Sequence, residues 1–283
     1  MTYSFGNDRL KITVDTLGAE LVSVLFDGKE RLWQNNSGVG WAGHAPILFP
    51  FGGHVRMTVD GKDYPCPAHG VAMRSEFSLV EKTQNSAAFV LLSNEETKNC
   101  YPFDFKLFVK YTVAANRLKI VYELENIGKK ELPFAFGSHE SYALQGEVDE
   151  YEAVFEQDEV FDAWIHTVEG GVMTGEKRAF GQGKRFAFPK EFMQDYTVIF
   201  KGVSSREVLL QKRTGEKVAK LTFPEFENIL FWHEADSKMV CMEPWNNLPD
   251  AEAEPPRVFA DKAVVKRLKA GEKRAYLHEI EYF

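Results

Sequence analysis

The sequence predicts an all-β protein, one large sandwich or barrel spanning residues 1–283. Three observations carry this. Short stretches that alternate apolar and polar residues recur from end to end, turn dipeptides stand between them, and few stretches hold apolar residues at helical spacing for three turns. Many short strands separated by turns at this spacing are the pattern of a sandwich or barrel.

Taken in order, residues 10–14 alternate (Leu10, Ile12 and Val14 on one face, Lys11 and Thr13 on the other) and predict a strand. Residues 21–26 predict a second strand, closed by Asp27-Gly28, a hairpin signal because both turn positions favour residues tolerant of positive φ. Asp60-Gly61 predicts another tight turn. Residues 105–112 and 118–124 flank Ala115-Asn116-Arg117, 208–211 and 218–221 flank Thr214-Gly215, and 264–268 and 275–280 flank Ala270-Gly271. The glycine-rich stretch 170–184 and the acidic, proline-rich stretch 248–256 predict loops. No linker composition interrupts the chain, so a single domain is expected.

The bulk numbers narrow the function. Apolar residues make up 44% of the 283, enough for a sizeable core without disulfides or metals, and the 23 phenylalanines suit packed sheets. A net charge of −8, with no Lys/Arg run, argues against nucleic acid as a partner. The three cysteines, Cys66, Cys100 and Cys241, are odd in number and lack CxxC spacing, which argues against a disulfide scaffold or a zinc ribbon. The seven histidines show no HxH or HExxH spacing, so no metal site is expected. The N-terminus has no basic region followed by an apolar run, and the longest apolar stretch, near residues 46–51, is far too short for a bilayer. The expectation is a reduced, cytoplasmic protein without a membrane partner.

A few residues stand out as chemistry. If 134–139 is a strand, Phe134 and Phe136 share one face and Ala135, Gly137 and His139 the other. Two small residues beside a histidine leave room for a ligand, although a hydrogen-bonded structural histidine fits the same pattern. Glu243 ends the apolar run 239–242 before Pro244, which should stop the strand. A carboxylate there would be partly desolvated and raised in pKa, as proton transfer requires, or would simply reach water. Trp245 follows, either as a platform for a sugar ring or as core. His69 sits in a turn-like Pro67-Ala68-His69-Gly70. Arg56 follows the pair Gly52-Gly53, where backbone can approach a ligand, but no phosphate-loop pattern is present.

Taken together these segments resemble the aldose 1-epimerase family of the galactose mutarotase-like superfamily, most closely its LacX-like branch. Residues 46–56 are similar to the family's P-x-L-F-P-x-x-G-R segment, and His69-Gly70-Val71-Ala72-Met73-Arg74 to its HG-aromatic-A-R segment. Gly137-Ser138-His139-Glu140-Ser141-Tyr142 is similar to G-x-H-P-Y-F, and Cys241-Met242-Glu243-Pro244-Trp245 matches C-hydrophobic-E-P-W at all five positions. The resemblance implies a β-supersandwich fold and mutarotation of a hexose without cofactor or metal. His139 and Glu243 would be the acid and the base, with His69, Arg56, Asp195 and Trp245 binding substrate. It implies a small-molecule sugar as partner and a monomer or weak homodimer. Alternatives on the same fold are a hexose-6-phosphate mutarotase and a non-catalytic sugar-binding protein; a glycosidase would need a second carboxylate flanking the bond. Glu140-Ser141 replaces the family's Pro-Tyr, and Arg74 falls one residue late. A one-residue shift reverses a strand's face, so the family arginine is not carried over to Arg74.

Overall fold

The structure is a computed structural model that describes residues 1–36, 38, 41–167, 173–189, 196–234, 237–249, 259–262 and 265–283. It is nearly all β. The one α-helix among the described residues is the single turn Glu95–Lys98, capped by Asn94. Fifteen strands among the described residues join one continuous antiparallel sheet, which folds back on itself around the core. Its path runs Ile47–Leu48, Gly137–Ser138, Met239–Trp245, Asn228–Trp232, Tyr196–Phe200, Tyr151–Thr167, Glu207–Lys212, Lys217–Thr222, Lys273–Tyr282, Arg117–Asn126, Phe105–Ala114, Ser86–Leu92 and Ser78–Lys82. A separate N-terminal sheet pairs Thr2–Gly6, Leu10–Asp15, Leu21–Phe26 and Lys29–Glu30 in order.

The alternation read from the sequence is the burial pattern observed. In Phe105–Ala114 every second side chain from Phe105 to Val113 is buried, and Arg117–Asn126 repeats the pattern in register against it. The turn between them is made by Ala115 at φ 53°. Asp27-Gly28 and Asp60-Gly61 both adopt positive φ and close hairpins, as the turn chemistry requires. Thr214-Gly215 likewise joins paired strands. At Ala270-Gly271 the turn is present but the flanking strands are not partners. Lys266–Leu268 pairs with Leu132–Phe134, while Lys273–Tyr282 pairs with Arg117–Asn126 and Lys217–Thr222.

Three expectations are corrected. The stretch 170–184 is not a loop where it is described. Met173–Ala187 is a mostly exposed strand on Tyr151–Thr167, with register shifts absorbed where Gly175, Gly181 and Gly183 take φ values of 82° to 122°. The ladder that makes it a strand comes from a distant partner, so local composition could not show it. Pro244 does not stop its strand: Met239–Trp245 continues through it, with Pro244 opposite Ile229. Cys66 and Cys100, 34 positions apart with Cα atoms 4.8 Å apart, are joined as a disulfide, so the expectation of reduced thiols fails there. That pairing depends on the fold bringing two loops together, which spacing does not encode. Cys241 is free and buried. The part of 248–256 beyond Pro249 lies outside the described residues. No helix among the described residues is long and apolar enough to cross a membrane.

Candidate active site

Met239–Trp245 is buried along its whole length. One edge pairs with Asn228–Trp232. Along the other edge the partner is interrupted: Glu140–Ala143 pairs with the first half, Glu140 opposite Met242, while Gly137 pairs with Trp245. His139 falls in the interruption, facing Glu243. The ladder is already broken there, which is where a proline without an N–H is tolerated, and Pro244 occupies that stretch. The result is a direct side-chain meeting. His139 Nε2 lies 3.4 Å from Glu243 Oε2, with side chains only 7% and 3% exposed.

The pair stands at the base of a pocket of about 200 Å³, walled by Trp41, Trp232 and Trp245 and by His69 and His166, with His54 at an exposed position on its lining. Trp41 stacks on the His139 ring, centroids 4.8 Å apart and planes within 16°. Its indole N–H donates to Ser141 Oγ at 3.0 Å, which fixes the stack. Trp232 meets Trp41 edge-on at 5.8 Å.

His69 is held in one orientation. It adopts φ 66°, its backbone N–H donates to the Gly53 carbonyl at 2.9 Å, and its Nδ1 accepts from the Gly53 N–H at 3.1 Å. An Nδ1 that accepts is unprotonated, so the neutral ring carries its hydrogen on Nε2. Burial, then the proximity of His139 and Arg74, holds the His69 pKa well below the usual histidine range, consistent with that neutral donor. Arg74 braces the turn from behind, donating to the carbonyls of Ala68 and Gly70 at 2.8 and 3.3 Å. Asn247 clamps Gly52 through both backbone groups, at 2.9 and 3.0 Å.

The small residues near His139 serve a different purpose from the one read in the sequence. A Cβ on Gly137 would lie 2.8 Å from Trp245 Cδ1, and one on Gly52 would lie 2.6 Å from Trp245 Cε3. The space belongs to the Trp245 ring, which these glycines let into the backbone, and Ala135 is plain core. Trp245 and His139 do line the pocket, together with Glu243 and His69.

One sequence candidate does not join them. Arg56 is half exposed and pairs with Asp63 at 2.6 Å, away from the pocket lining, because the turn at Asp60-Gly61 brings Asp63 across the hairpin to it. Asp195 lies outside the described residues. Conversely, Trp41, His166, Thr197 and Trp232 line the pocket without having been singled out. No local motif marks them; long-range pairing of Tyr151–Thr167, Tyr196–Phe200 and Asn228–Trp232 gathers His166, Thr197 and Trp232, and Trp41 arrives from a separate loop.

Burial governs the electrostatics. It pushes the Glu243 carboxyl well above the usual carboxylate range, the charge of Glu140 adds to this, and Trp245 opposes it. Burial also lowers His139 to about 4, against smaller opposing effects of its own backbone, Glu140 and Glu20. Both shifts disfavour charge, so burial favours the carboxylic acid with neutral imidazole over the carboxylate with imidazolium in the ligand-free pair. One proton is shared either way.

Cys241 is the nearest further donor, its Sγ 3.2 Å from Ser141 Oγ. The potential ligand atoms of His139, Cys241 and Glu243 span up to 4.8 Å. Bonds of about 2.3 Å to sulfur and 2.1 Å to nitrogen bridge at most about 4.4 Å. Burial also holds the thiol well above its usual pKa, in its protonated form. The donor set as placed fits proton transfer better than a metal ion.

The sequence profile of the aldose 1-epimerase family matches residues 1–263. The chain belongs to the aldose 1-epimerase family. It is 27% identical over 285 residues to the chromosomal protein LacX of Lactococcus lactis subsp. lactis, a match covering 95% of each chain. Among solved structures it is similar to a galactose mutarotase-like protein from Lactobacillus casei ATCC 334, with a TM-score of 0.91 at 24% identity over all of both chains. A galactose mutarotase related enzyme from Lactobacillus acidophilus matches with a TM-score of 0.89 at 22% identity, covering 100% of this chain and 97% of that one. These structural likenesses establish the galactose mutarotase-like fold.

Proposed function

We propose that this aldose 1-epimerase family member is a mutarotase that interconverts the α and β anomers of a free hexose, with His139 and Glu243 as its proton-transfer pair. The observation that carries the reading is the 3.4 Å approach of these two buried groups at the base of an aromatic-walled pocket. That pocket is smaller than the ~300–1,000 Å³ of sites for drug-sized ligands, in keeping with a single sugar ring.

Anomer exchange needs two proton movements. The base takes the C1 hydroxyl proton, the acid gives a proton to the ring oxygen, the C1–O5 electron pair goes to O5, and C1 becomes an aldehyde. Rotation about C1–C2 and the reverse transfers close the other anomer. A pair holding one proton suffices, whichever member holds it at the start, and the two members exchange roles on closure. Burial favours the uncharged form in the empty pocket. Sugar hydroxyls donating to Glu243 would favour its carboxylate and so move the proton to His139. His69, fixed as an Nε2 donor, is suited to a hydroxyl or to the ring oxygen. Trp245 offers an apolar face to the ring's C–H side.

A free sugar is favoured over a phosphorylated one because no Lys or Arg is among the described residues that line the pocket. Arg56 and Arg74 are committed elsewhere. A non-catalytic binding protein would have no need of the buried acid–base pair. Polarimetry on freshly dissolved α-anomers of several free hexoses and their 6-phosphates tests the reading. Acceleration of at least one free hexose supports it, and no acceleration of any sugar overturns it.

A further inference from the structure

The residue after His139 departs from the family pattern, and the structure shows what it does. Glu140 turns to the opposite face of its strand, into the core, where it is 1% exposed. Its Oε1 lies 3.0 Å from Nε2 of His278, a residue with no exposed surface on the opposing strand Lys273–Tyr282. Ser138 Oγ donates to its Oε2 at 2.9 Å. The Tyr122 hydroxyl lies 3.3 Å from Nδ1 of the same His278. A buried polar pair of this kind is a poor route to stability, since apolar residues of the same volume often do as well or better. Its presence one residue from His139 calls for another reason.

We propose that Glu140, held by Ser138 and His278 directly behind the strand edge that carries His139, is a positioning residue whose negative charge keeps the working proton on the His139–Glu243 pair. The proposal rests on the mutarotase reading of that pair. A fixed negative charge in a dry core favours protonation of every group near it.

The surroundings leave Glu140 as the charge that matters. Tyr111, Tyr122, Tyr142 and Tyr282 face it from three other strands and its own, and burial, with Glu140 adding to it, raises all four far enough to stay neutral. Cys241 is raised in the same way, with Glu243 and Glu140 contributing. Of the charges that act on the pair, Glu140 acts on both members, and Glu20 acts on His139 alone from the turn between Leu10–Asp15 and Leu21–Phe26. Glu140 favours the protonated form of both His139 and Glu243.

The test is a pH–rate profile of mutarotation, with an NMR titration of the His139 imidazole, for the parent and three variants. Glu140→Gln keeps the shape and loses the charge, and Glu140→Asp keeps the charge. The double variant Glu140→Met/His278→Leu replaces the buried pair by apolar groups and so provides a folded protein if Glu140→Gln alone does not fold. Both limbs of the profile, and the His139 midpoint, should move to lower pH by about one unit in the Gln and the double variants. Glu140→Asp should restore them to near the parent's. A lower melting temperature or a uniformly scaled rate with unmoved limbs would make Glu140 merely structural and overturn the proposal. If the parent shows no mutarotation, the proposed function fails by itself and the His139 titration decides this inference alone. A midpoint unchanged by charge removal overturns it, and an acid shift upholds it.

Discussion

Replacing Glu243 by glutamine tests the site most directly. The amide keeps the volume of the carboxyl in a strand that is buried throughout, but it cannot take or give the proton shared with His139 across 3.4 Å. Glu243 is 2% exposed and meets the pocket only at its base. Loss of a positioned proton-transfer group lowers rates by about 10²- to 10⁴-fold, or roughly 3 to 5 kcal/mol of barrier. Stability should respond in the opposite sense. The folded pKa of Glu243 is raised above its unfolded value, so folding favours the protonated acid. That contribution is fully present below the unfolded pKa and is lost as pH rises toward the folded one. Glutamine has no such dependence, so the variant should gain on the parent in melting temperature as pH rises above the unfolded carboxylate range. Polarimetry or a coupled sugar dehydrogenase assay reads the rate, and calorimetry the melts. A variant within threefold of the parent rate would show that Glu243 is not part of the proton pair. Loss of sugar binding along with the rate would make it a ligand-orienting group instead.

His139→Asn should cost as much as Glu243→Gln, and the double variant should be little worse than either, because groups acting as one unit are non-additive; additive barriers, read by the same assay, would separate their roles. The pH–rate profile should be bell-shaped. Activity should fall as pH drops through about 4, where His139 takes a second proton onto the pair, and fall again as pH rises through the raised value of Glu243, where the last proton leaves. A profile with no fall on the acid side near pH 4 would contradict this. Gly137→Ala should drive a methyl group into Trp245, costing about 1–3 kcal/mol of stability by overpacking and lowering the rate through a displaced ring. An unchanged melting temperature would show that the ring moves freely. Arg56→Ala should leave the rate within about twofold of the parent, since an exposed ion pair with Asp63 contributes little and lies away from the pocket lining; a tenfold loss in a steady-state assay would return Arg56 to the site.

The fold was legible where its causes are local. Alternation in 105–113 and the turn residues at Asp27-Gly28 and Asp60-Gly61 act over a few positions, and the structure repeats them nearly residue for residue. It was illegible where a distant partner decides. Met173–Ala187 has the glycines of a loop and becomes a strand only because Tyr151–Thr167 supplies its ladder. Lys266–Leu268 looks like half of a hairpin and instead crosses to Leu132–Phe134. The Cys66–Cys100 pairing is of the same kind: nothing in a separation of 34 residues announces that two loops meet.

The site divides along the same line, and the division explains why His139 and Glu243 could be singled out while their neighbours could not. Each stands in a short segment whose neighbours are constrained with it, so the whole string carries a signal. Glu243 stands two residues before Trp245, and Trp245 needs Gly137 to admit its ring, which in turn lies two residues before His139. That loop of requirements closes within two paired segments, and both are short enough to read. The small residues were therefore a true signal with the wrong cause: they make way for a tryptophan rather than for a ligand. Trp41, Trp232 and His166 have no such companions. Trp41 reaches His139 from a separate loop, by a stack and a hydrogen bond to Ser141, and any well-placed aromatic could have made that wall. Glu140 lies between the two cases. Its departure from the family pattern was visible, but its effect depends on His278, which is 138 positions away in sequence and 3.0 Å away in space.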